Sequence, residues 1–432
     1  MNTTVYNERS KEIPIVSRSD VIVCGGGPAG VAAAIASARA GARTVLLEGQ
    51  GCLGGIWTSG LLSWIIDAGN KPGIMKEIIA RLDRRKARIS SRGEDFTYDP
   101  EEMKLLLEEM CMEADVEVML HTSVVHAAVD EARRLSLVIT ESKSGRQAWS
   151  ASMFIDTTGD GDLAARAGCR FELGRPGTGE TQPMSLMVHL TGIDPEEAAE
   201  FTMNGISETP KHRLLEQITK AGQIPSYSAP SLFHIRDRLF ALMANHEYGA
   251  SAIRADEVSK ATLQARREIH RIVDALRSLG GIWSKLRIVN SASHIGIREG
   301  RRVYGRYQVT QQDVQEGARH EDAVCRVRYG IDIHSTNPSQ GKGFGDDGKR
   351  SAPYDIPLRA LIAADMDGLL LAGRCISGDF VAHSSYRVTG NAVATGQAAG
   401  TAAAIAALTG TLPQSLAWSD IEQALRRLEE FA

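Results

Sequence analysis

The chain has 432 residues, a length that fits two interleaved domains better than one. Its 43% hydrophobic and 24% charged residues are typical of a soluble globular protein, and a net charge of −4 excludes a global field that attracts nucleic acid. No run approaches the ~20 apolar residues of a membrane span, the N-terminus lacks an apolar signal core, and the six cysteines form no CxxC pair. We therefore expect a cytoplasmic protein without a metal site, a nucleic-acid partner or a membrane anchor.

The first predicted unit is a strand, a glycine-rich turn, a helix and a second strand at 20–48. This segment reads DVIVCGGGPAGVAAAIASARAGARTVLLE. In such a unit Gly25 lets the chain turn off the strand, Gly27 leaves the backbone open to a pyrophosphate, and Gly30 allows close helix packing. The start of the helix offers free N–H groups and the positive end of its dipole to an anion.

Glu48 ends the second strand, where its carboxylate can accept both ribose hydroxyls of a dinucleotide. The complete unit predicts a dinucleotide site that includes Pro28 and Ala29 of the turn, rather than an ordinary tight turn. The following loop, GQGCLGGIWTSG, adds the pair Gly54 and Gly55. A long glycine-rich loop suits a cofactor that lies extended along the protein, so FAD is favoured over NAD or NADP.

Further along the chain, an Asp-Pro-Glu start at 99–101 predicts a helix, and alternating apolar residues at 116–120 predict a strand. A β-meander then returns through 153–155 to the glycine turn DTTGDGD at 156–162. These elements extend the first unit into a larger α/β domain.

In the middle of the chain, 181–193 reads as a strand and 195–280 carries several helical stretches. The segment 331–334, IDIH, predicts a strand whose period of two places Asp332 and His334 on one face. A solvated face is the alternative for these two residues.

The sequence REGRRVYG contains Arg298, Arg301 and Arg302, for which two interpretations remain open. The guanidinium groups can anchor an anionic substrate or phosphate. They can equally be structural, paired with Glu299 and nearby acids.

Four motifs in order, CGGGPAG with Glu48, GCLGG, IDTTGDGDLAARAG, and YDIPLRAL followed by GLLLAGRCISGDFVAHSSYRVTGNAVATGQAAGTAAAIA, span most of the chain. With them the chain resembles the FAD-dependent oxidoreductase family of the two-dinucleotide-binding-domain flavoproteins. It is more distantly similar to the flavoprotein subunits of fumarate reductase and succinate dehydrogenase. The resemblance implies an α/β fold with a Rossmann-like FAD-binding domain of the glutathione reductase type, at 1–171 and 353–432. It also implies an inserted α+β cap or substrate domain at 172–352.

The resemblance also implies FAD contacts beyond the first unit. A helix that starts near Gly390 and Asn391 can direct its N-terminus at the flavin pyrimidine carbonyl, unless it is simply a tightly packed helix. The further cofactor residues implied are Val125, Thr158, Gly159, Asp162, Gly373, Arg374, Gly390 and Asn391.

The predicted catalytic residues are His383 and Arg387, on a loop before the Gly-Asn helix start, together with His334. In the fumarate reductase-like relatives a similar loop lies over the flavin and holds a substrate carboxylate. Arg387 would clamp an oxyanion and His383 would move a proton. The alternative is a loop hydrogen-bonder and an ion pair at the helix start.

We therefore expect an FAD enzyme that transfers a hydride between flavin N5 and a small polar substrate, with an unidentified electron donor or acceptor. The substrate would carry a carboxylate or a hydroxyl, and a homo-oligomer is left open. Two alternatives are a flavoprotein of tRNA modification and a non-catalytic flavin-binding protein. The negative charge and short C-terminal tail disfavour the first, and the polar His/Arg loop disfavours the second.

Overall fold

A computed structural model describes Tyr6, Glu8 and the ranges 11–90, 95–203 and 207–431. The domain spans predicted above also contain 1–5, 7, 9, 10, 91–94, 204–206 and 432, which lie outside the described residues.

The described strands, in chain order, are β1 (Ile15–Cys24), β2 (Thr44–Leu47), β3 (Trp64–Ile65), β4 (Arg88–Ser90), β5 (Phe96–Tyr98), β6 (Glu117–Met119), β7 (Ser123–Val129), β8 (Leu135–Ser142), β9 (Gly145–Asp156), β10 (Phe171–Glu172), β11 (Val188–Thr191), β12 (Ser231–Arg236), β13 (Leu239–Met243), β14 (Arg287–Ser291), β15 (Arg302–Val303), β16 (Ala323–Val327), β17 (Ile333–His334), β18 (Phe344–Gly345), β19 (Tyr354–Pro357) and β20 (Leu369–Leu371).

The described α-helices are α1 (Pro28–Arg39), α2 (Ile74–Arg84), α3 (Pro100–Glu113), α4 (Asp162–Arg166), α5 (Pro195–Ala198), α6 (Thr209–Lys220), α7 (Ala255–Ser278), α8 (Gln311–Glu316), α9 (Phe380–Tyr386), α10 (Thr389–Thr409) and α11 (Trp418–Leu428). The predicted start of α3 is confirmed, because the Asp99 side chain accepts a hydrogen bond from the Glu101 N–H.

The central sheet has the strand order β6-β2-β1-β9-β8-β7, and β20 joins it beside β9. Strands β6, β2, β1, β9 and β20 run parallel, whereas β7 and β8 form the antiparallel meander with the first half of β9. The register aligns Cys24 with Leu47 and with Asp156, and Asp156 with Leu371. Four strands therefore end at one level, and the loops that follow them meet at one edge of the sheet.

Helices α1 and α10 pack together over this sheet at very short distance. A Cβ added to Gly396 would lie 2.2 Å from the Ala29 carbonyl oxygen, and one added to Gly400 would lie 2.1 Å from that of Ala33. The small residues of α10 therefore let the two backbones touch. Among the described helices α10 alone is long and apolar enough to span a membrane, and 78% of its apolar window is buried in the fold.

A second sheet, with the order β12-β13-β11-β14, is inserted between β10 and β15 and is antiparallel throughout. Its core is a separate cluster that includes side chains of α6 and α7. The α/β fold with an inserted α+β unit is thus confirmed. The predicted domain bounds stay a prediction. Within the predicted cap, the buried apolar side chains at 303–333 share the core of the central sheet.

The helical stretches predicted at 195–280 are present as α5, α6 and α7. The hairpin β12–β13, which was not predicted, lies between α6 and α7, and Asp237 with φ +42 makes its tight turn. In addition, the strand predicted at 181–193 is reduced to β11, Val188–Thr191. The residues before it form only isolated antiparallel bridges, from Met184 to Glu247 and from Ser185 to Gly296.

We predict that Gly400→Ala destabilises the protein by about 1–3 kcal/mol, the usual cost of overpacking. The added methyl group meets backbone that cannot rotate away, and this cost outweighs the gain of at most ~1 kcal/mol in helix propensity. Urea unfolding measures the difference. Gly345→Ala is the control, because its Cβ would have no atom within 4 Å. Equal stability of the two variants would contradict the close-packing account.

Candidate active site

A cavity of about 630 Å³ runs from the aligned ends of the central strands to the inserted sheet. One end is lined by the turns that follow β1, β2, β9 and β20, and the other end by the inserted unit. The cavity therefore joins the predicted dinucleotide site to the region between the two sheets.

The glycine turn after β1 forms the first wall of the cavity. Gly25 has φ +105, and a Cβ there would lie 2.6 Å from the Thr157 carbonyl oxygen. A Cβ on Gly30 would lie 1.7 Å from the Gly25 oxygen, so this position requires glycine for packing. Gly27 differs from both: it starts α1 with an ordinary φ of −70, and no atom lies within 4 Å of an added Cβ. The space beside Gly27 is the cavity itself, next to the start of α1.

The loop at Gly54 and Gly55 covers this turn. The Gly54 N–H donates to the Gly26 carbonyl oxygen at 2.8 Å, and a Cβ on Gly55 would lie 3.0 Å from the Gly27 Cα. Gly55 lines the cavity, whereas Gly54, with φ +99, packs against Thr58 behind it.

Glu48 is held rigidly at the end of β2. Its Oε2 accepts a hydrogen bond from the Gly26 N–H at 2.5 Å, and its Oε1 accepts one from the Gln50 N–H at 2.7 Å. The side chain also lines the cavity. Since each carboxylate oxygen has more than one lone-pair site, the oriented carboxylate can still accept hydrogen bonds from the hydroxyl groups of a ligand.

The turn after β9 is organised by a buried carboxylate. Asp156 accepts hydrogen bonds from the N–H and hydroxyl of Thr158, at 3.0 and 2.7 Å, and from the Ala164 N–H at 2.8 Å. Thr158, Gly159 and Asp162 of this turn line the cavity. Burial raises the pKa of Asp156, opposed by those three hydrogen bonds.

The turn after β20 reaches the same place. Arg374 donates to Asp160 Oδ1 at 2.5 Å, and its guanidinium lies against Gly159, where a Cβ would be 2.7 Å from Nη2. Gly373 and Arg374 both line the cavity. Pro28 and Ala29 of the first turn line it as well.

Five predicted cofactor residues are not at the cavity surface: Gly30, Gly54, Val125, Gly390 and Asn391. Strand β7 presents Val124 to the cavity instead of Val125, because successive side chains of a strand point to opposite faces. A Cβ on Gly390 would lie 2.2 Å from the Asp67 carbonyl oxygen, so this glycine serves packing.

Asn391 lies in the first turn of α10 and is 1% exposed. Neither its amide nitrogen nor its amide oxygen has a hydrogen-bond partner in the described chain. Its helix neighbours Thr389 and Ala392 line the cavity. A buried amide without a partner is costly, and a polar cofactor group beside the helix start would offer one.

At the opposite end of the cavity Arg298 is a cation that pairs with no carboxylate of the described residues. Its Nη1 donates to the Pro183 carbonyl oxygen at 2.7 Å and to the Ser185 hydroxyl at 2.8 Å, and its Nη2 lies 3.5 Å from the Met243 sulfur. No described carboxylate lies within ion-pair distance of its guanidinium. Burial, aided by the charge of Arg387, lowers the pKa of Arg298 to about 10, so it is still a cation at neutral pH.

The other two arginines of the same motif are structural. Arg302 is 2% exposed and pairs with Glu299, and it also donates to the Gly174 carbonyl oxygen at 3.0 Å. Arg301 pairs with Asp162 at 2.8 Å. Of the two interpretations that the sequence left open, the structural one fits these two residues, and only Arg298 lines the cavity.

Arg387, Asp332 and His334 line the cavity as a hydrogen-bonded group. Arg387 Nη2 lies 3.0 Å from Asp332 Oδ2, and His334 Nε2 lies 3.4 Å from the same oxygen. The predicted shared face of Asp332 and His334 is thus present. Burial, with the charge of Arg298, lowers the pKa of His334 to about 3, so this ring is neutral at physiological pH. Burial alone would raise the pKa of Asp332, but its charged neighbours lower it below the usual range. Because His334 is neutral there, Arg387 and Arg298 are the neighbours that keep this carboxylate ionised.

His383 lies outside the cavity, in contrast to its predicted catalytic position. It belongs to α9, which starts at Asp379 with a cap to the Ala382 N–H, rather than to a loop. The helix directs His383 into the core, where it is fully buried and its ring meets that of Tyr386 edge-on at 5.4 Å. Burial lowers the pKa of His383 well below its usual range, with Arg302 contributing. Proton transfer by His383 to a ligand in the cavity has no geometric support.

Several cavity residues of the inserted hairpin were not predicted. Ser231 and Phe233 alternate along β12 and Met243 ends β13, and all three line the cavity. The period-two pattern of SLFHIRDRLFALM was the signal that could have located them.

The parallel sheet, the glycine turn at α1 and the oriented Glu48 define a dinucleotide-binding protein of the Rossmann type. The chain belongs to the FAD dependent oxidoreductase family, whose sequence model matches residues 20–425. It is therefore an FAD enzyme, as predicted. No curated protein matches the chain significantly.

Similar solved structures have low identity. A geranylgeranyl bacteriochlorophyll reductase-like protein from Thermoplasma acidophilum is 14% identical, with TM-score 0.49, over 96% of this chain and 83% of that one. The myxobacterial chondrochloren halogenase CndH is 13% identical, with TM-score 0.49, over 95% and 79%. The p-nitrophenol 4-monooxygenase PnpA from Pseudomonas putida is 12% identical, with TM-score 0.44, over 96% and 85%.

We predict that Gly27→Ala removes FAD binding while stability is kept. The added methyl group meets no protein atom and the φ of Gly27 is ordinary. Only a ligand bound against the backbone would therefore clash with it. Absorbance of the purified flavoprotein and a thermal melt of the apoprotein measure the two effects. Gly30→Ala is the matched variant and should unfold the turn itself. Full FAD occupancy in Gly27→Ala would show that no phosphate approaches this backbone.

Proposed function

We propose that this FAD-dependent oxidoreductase transfers a hydride between flavin N5 and a small substrate that carries a carboxylate or a comparable anionic group. The observation that carries the proposal is Arg298, a part-buried cation that faces the cavity and has no acidic partner among the described residues. A buried charge is costly unless it is paired, and an anionic ligand would complete the pair. The electron donor or acceptor is a separate molecule.

We call the part of the cavity at the ends of the central strands the nucleotide end. Its residues fit FAD, the cofactor of the family. Gly27 and the start of α1 would receive the pyrophosphate, Glu48 the ribose hydroxyls, and Asn391 with the start of α10 the polar edge of the flavin. Bound FAD supplies hydride acceptance or donation at N5. The remaining task of the chain is to bind the substrate, orient it and handle its proton.

The substrate end combines cations with an apolar wall. Apolar and aromatic side chains line it, namely Leu62, Trp64, Ile66, Met187, Met203, Phe233 and Met243. This lining suits a substrate with an anionic head and a compact apolar body, because such pockets fix orientation with a few polar groups and gain affinity from apolar contact. Pro183 and Ser185 engage Nη1 of Arg298, which leaves the Nε and Nη2 edge of the planar guanidinium to match a carboxylate.

Arg387 and Asp332 support this arrangement. Arg387 is tied to Asp332 by its side-chain and main-chain oxygens, at 3.0 and 2.9 Å. This pairing fixes the guanidinium beside the cavity and reduces its net charge there. Arg387 therefore acts in our proposal as a secondary contact, while Arg298 holds the substrate anion.

We predict that Arg298→Met keeps bound FAD but weakens substrate binding by roughly 10- to 10²-fold, corresponding to a charged hydrogen bond of ~1.5–3 kcal/mol. Arg298→Lys keeps the charge and loses the forked geometry of the guanidinium. Its substrate affinity should lie between those of the wild type and Arg298→Met. The measurement is anaerobic flavin bleaching across a panel of small hydroxy and carboxy acids, read as the substrate Kd and the limiting rate of flavin reduction for each active compound.

Arg213→Met is the control, since this arginine pairs with Glu200 on the surface of the inserted unit. Unchanged substrate Kd values in Arg298→Met would refute the assignment of the anion site. Bleaching by no compound in the wild-type flavoprotein would instead favour a non-catalytic flavin-binding protein.

A further inference from the structure

A line of polar side chains leads from the cavity into the inserted unit. His334 Nε2 faces Asp332 Oδ2 at 3.4 Å, and His334 Nδ1 lies 3.1 Å from His246 Nε2. His246 Nδ1 in turn lies 3.2 Å from the Tyr248 hydroxyl. Asp332 and His334 line the cavity, His246 is 2% exposed, and Tyr248 is half-buried at the far end.

Both imidazole rings use their two nitrogens in series. Each ring therefore has one side toward the cavity and one side toward Tyr248, as a proton-conducting ring requires. Burial lowers the pKa of His334 to about 3 and the pKa of His246 still further, with Arg298 contributing to both. A neutral ring can accept a proton at one nitrogen as it releases the proton of the other, so no cationic ring has to persist in the buried site.

The rings are also held in place. Tyr227 stacks on His246 with 4.0 Å between ring centroids. The main-chain N–H of His246 donates to the Ser226 hydroxyl at 2.8 Å, and that hydroxyl donates to the Glu268 carboxylate at 2.8 Å. A merely space-filling role would not need two histidines with aligned nitrogens.

We propose that His334, His246 and Tyr248 form a proton relay between the substrate and solvent, with Asp332 orienting the first ring, a role that rests on the proposed function. The ionised Asp332 favours the tautomer of His334 with its proton on Nε2, so the resting relay is set to deliver a proton. When a substrate carbonyl carbon receives a hydride from bound reduced cofactor, its oxygen takes the Nε2 proton of His334 and a hydroxyl group results.

The proton is then replaced along the line. His334 Nδ1 takes the Nε2 proton of His246, His246 Nδ1 takes the hydroxyl proton of Tyr248, and Tyr248 takes a proton from water. One proton enters for each one delivered, and both rings change tautomer. The single Tyr248 hydroxyl proton, which in this structure is donated to the Ser226 carbonyl oxygen at 3.0 Å, turns toward His246 Nδ1 for this transfer. After product release, water in the cavity returns a proton to His334 Nε2 and the same transfers run in reverse, so that both rings regain their resting tautomers. Substrate oxidation uses the same steps in reverse.

The direct test follows the ring proton of His334 by NMR in ¹⁵N-histidine-labelled, FAD-loaded protein. In the wild type this proton should show an exchange cross-peak with water. The cross-peak should be lost in His246→Gln and weakened in Tyr248→Phe, which keeps the ring and removes only the hydroxyl. The controls His234→Gln and Tyr304→Phe, whose polar groups bond Asp237 and Glu172, should keep it. An unchanged cross-peak in both relay variants would overturn the proposal.

A kinetic measurement separates the relay from the proposed function. Dithionite-reduced flavoprotein is mixed anaerobically with a panel of small 2-keto acids, and flavin reoxidation is followed in H₂O and D₂O. We expect reoxidation in His246→Gln to fall by about 10²-fold, as for a lost acid–base group, and its solvent isotope effect to change. Reoxidation of the wild type by no keto acid would count against the function and leave the exchange result to judge the relay. A wild-type rate in His246→Gln would refute the relay alone.

Discussion

The common level at which four parallel strands end is the constraint on which the rest of the structure depends. The register that aligns Cys24, Leu47, Asp156 and Leu371 brings four loops to one edge of the sheet. Each loop then contributes one part of the nucleotide end: the open backbone at Gly27, the carboxylate of Glu48, the turn at Thr158 and the turn at Gly373. Ligands of open α/β sheets bind at such an edge because the strands direct all their connections there.

The sequence was informative wherever backbone geometry dictates the residue type. Glycine at 25 and 30 is required by a positive φ or by contact with backbone, so the pattern itself carries the structural meaning. Glu48 could be predicted because its distance from the turn is fixed by one helix and one strand. Close packing of α10 on α1 likewise requires Gly396 and Gly400, which appear in the sequence as a run of small residues.

Prediction was weaker where a role depends on which side of an element faces the cavity. His383 was assigned to a loop, but Asp379 starts a helix there and turns the imidazole into the core. Val125 was assigned by resemblance, while its neighbour Val124 faces the cavity. The contact of His334 with His246 joins residues 88 positions apart, through an inserted hairpin whose pairing no local motif specifies. Similarly, three neighbouring arginines look alike in sequence. Only the structure shows that Arg301 and Arg302 pair with carboxylates, whereas Arg298 pairs with none in the described part of the chain.

The central claim is that one cavity holds FAD along the strand ends and presents its reactive ring to the Arg298 end. A crystal structure of the FAD complex tests this claim most directly. The account predicts the pyrophosphate beside Gly27 at the start of α1. It places the isoalloxazine ring between the start of α10 and the part of the cavity lined by Arg298 and Asp332. An isoalloxazine ring that lies outside the cavity, or is separated from Arg298 by protein, would contradict it.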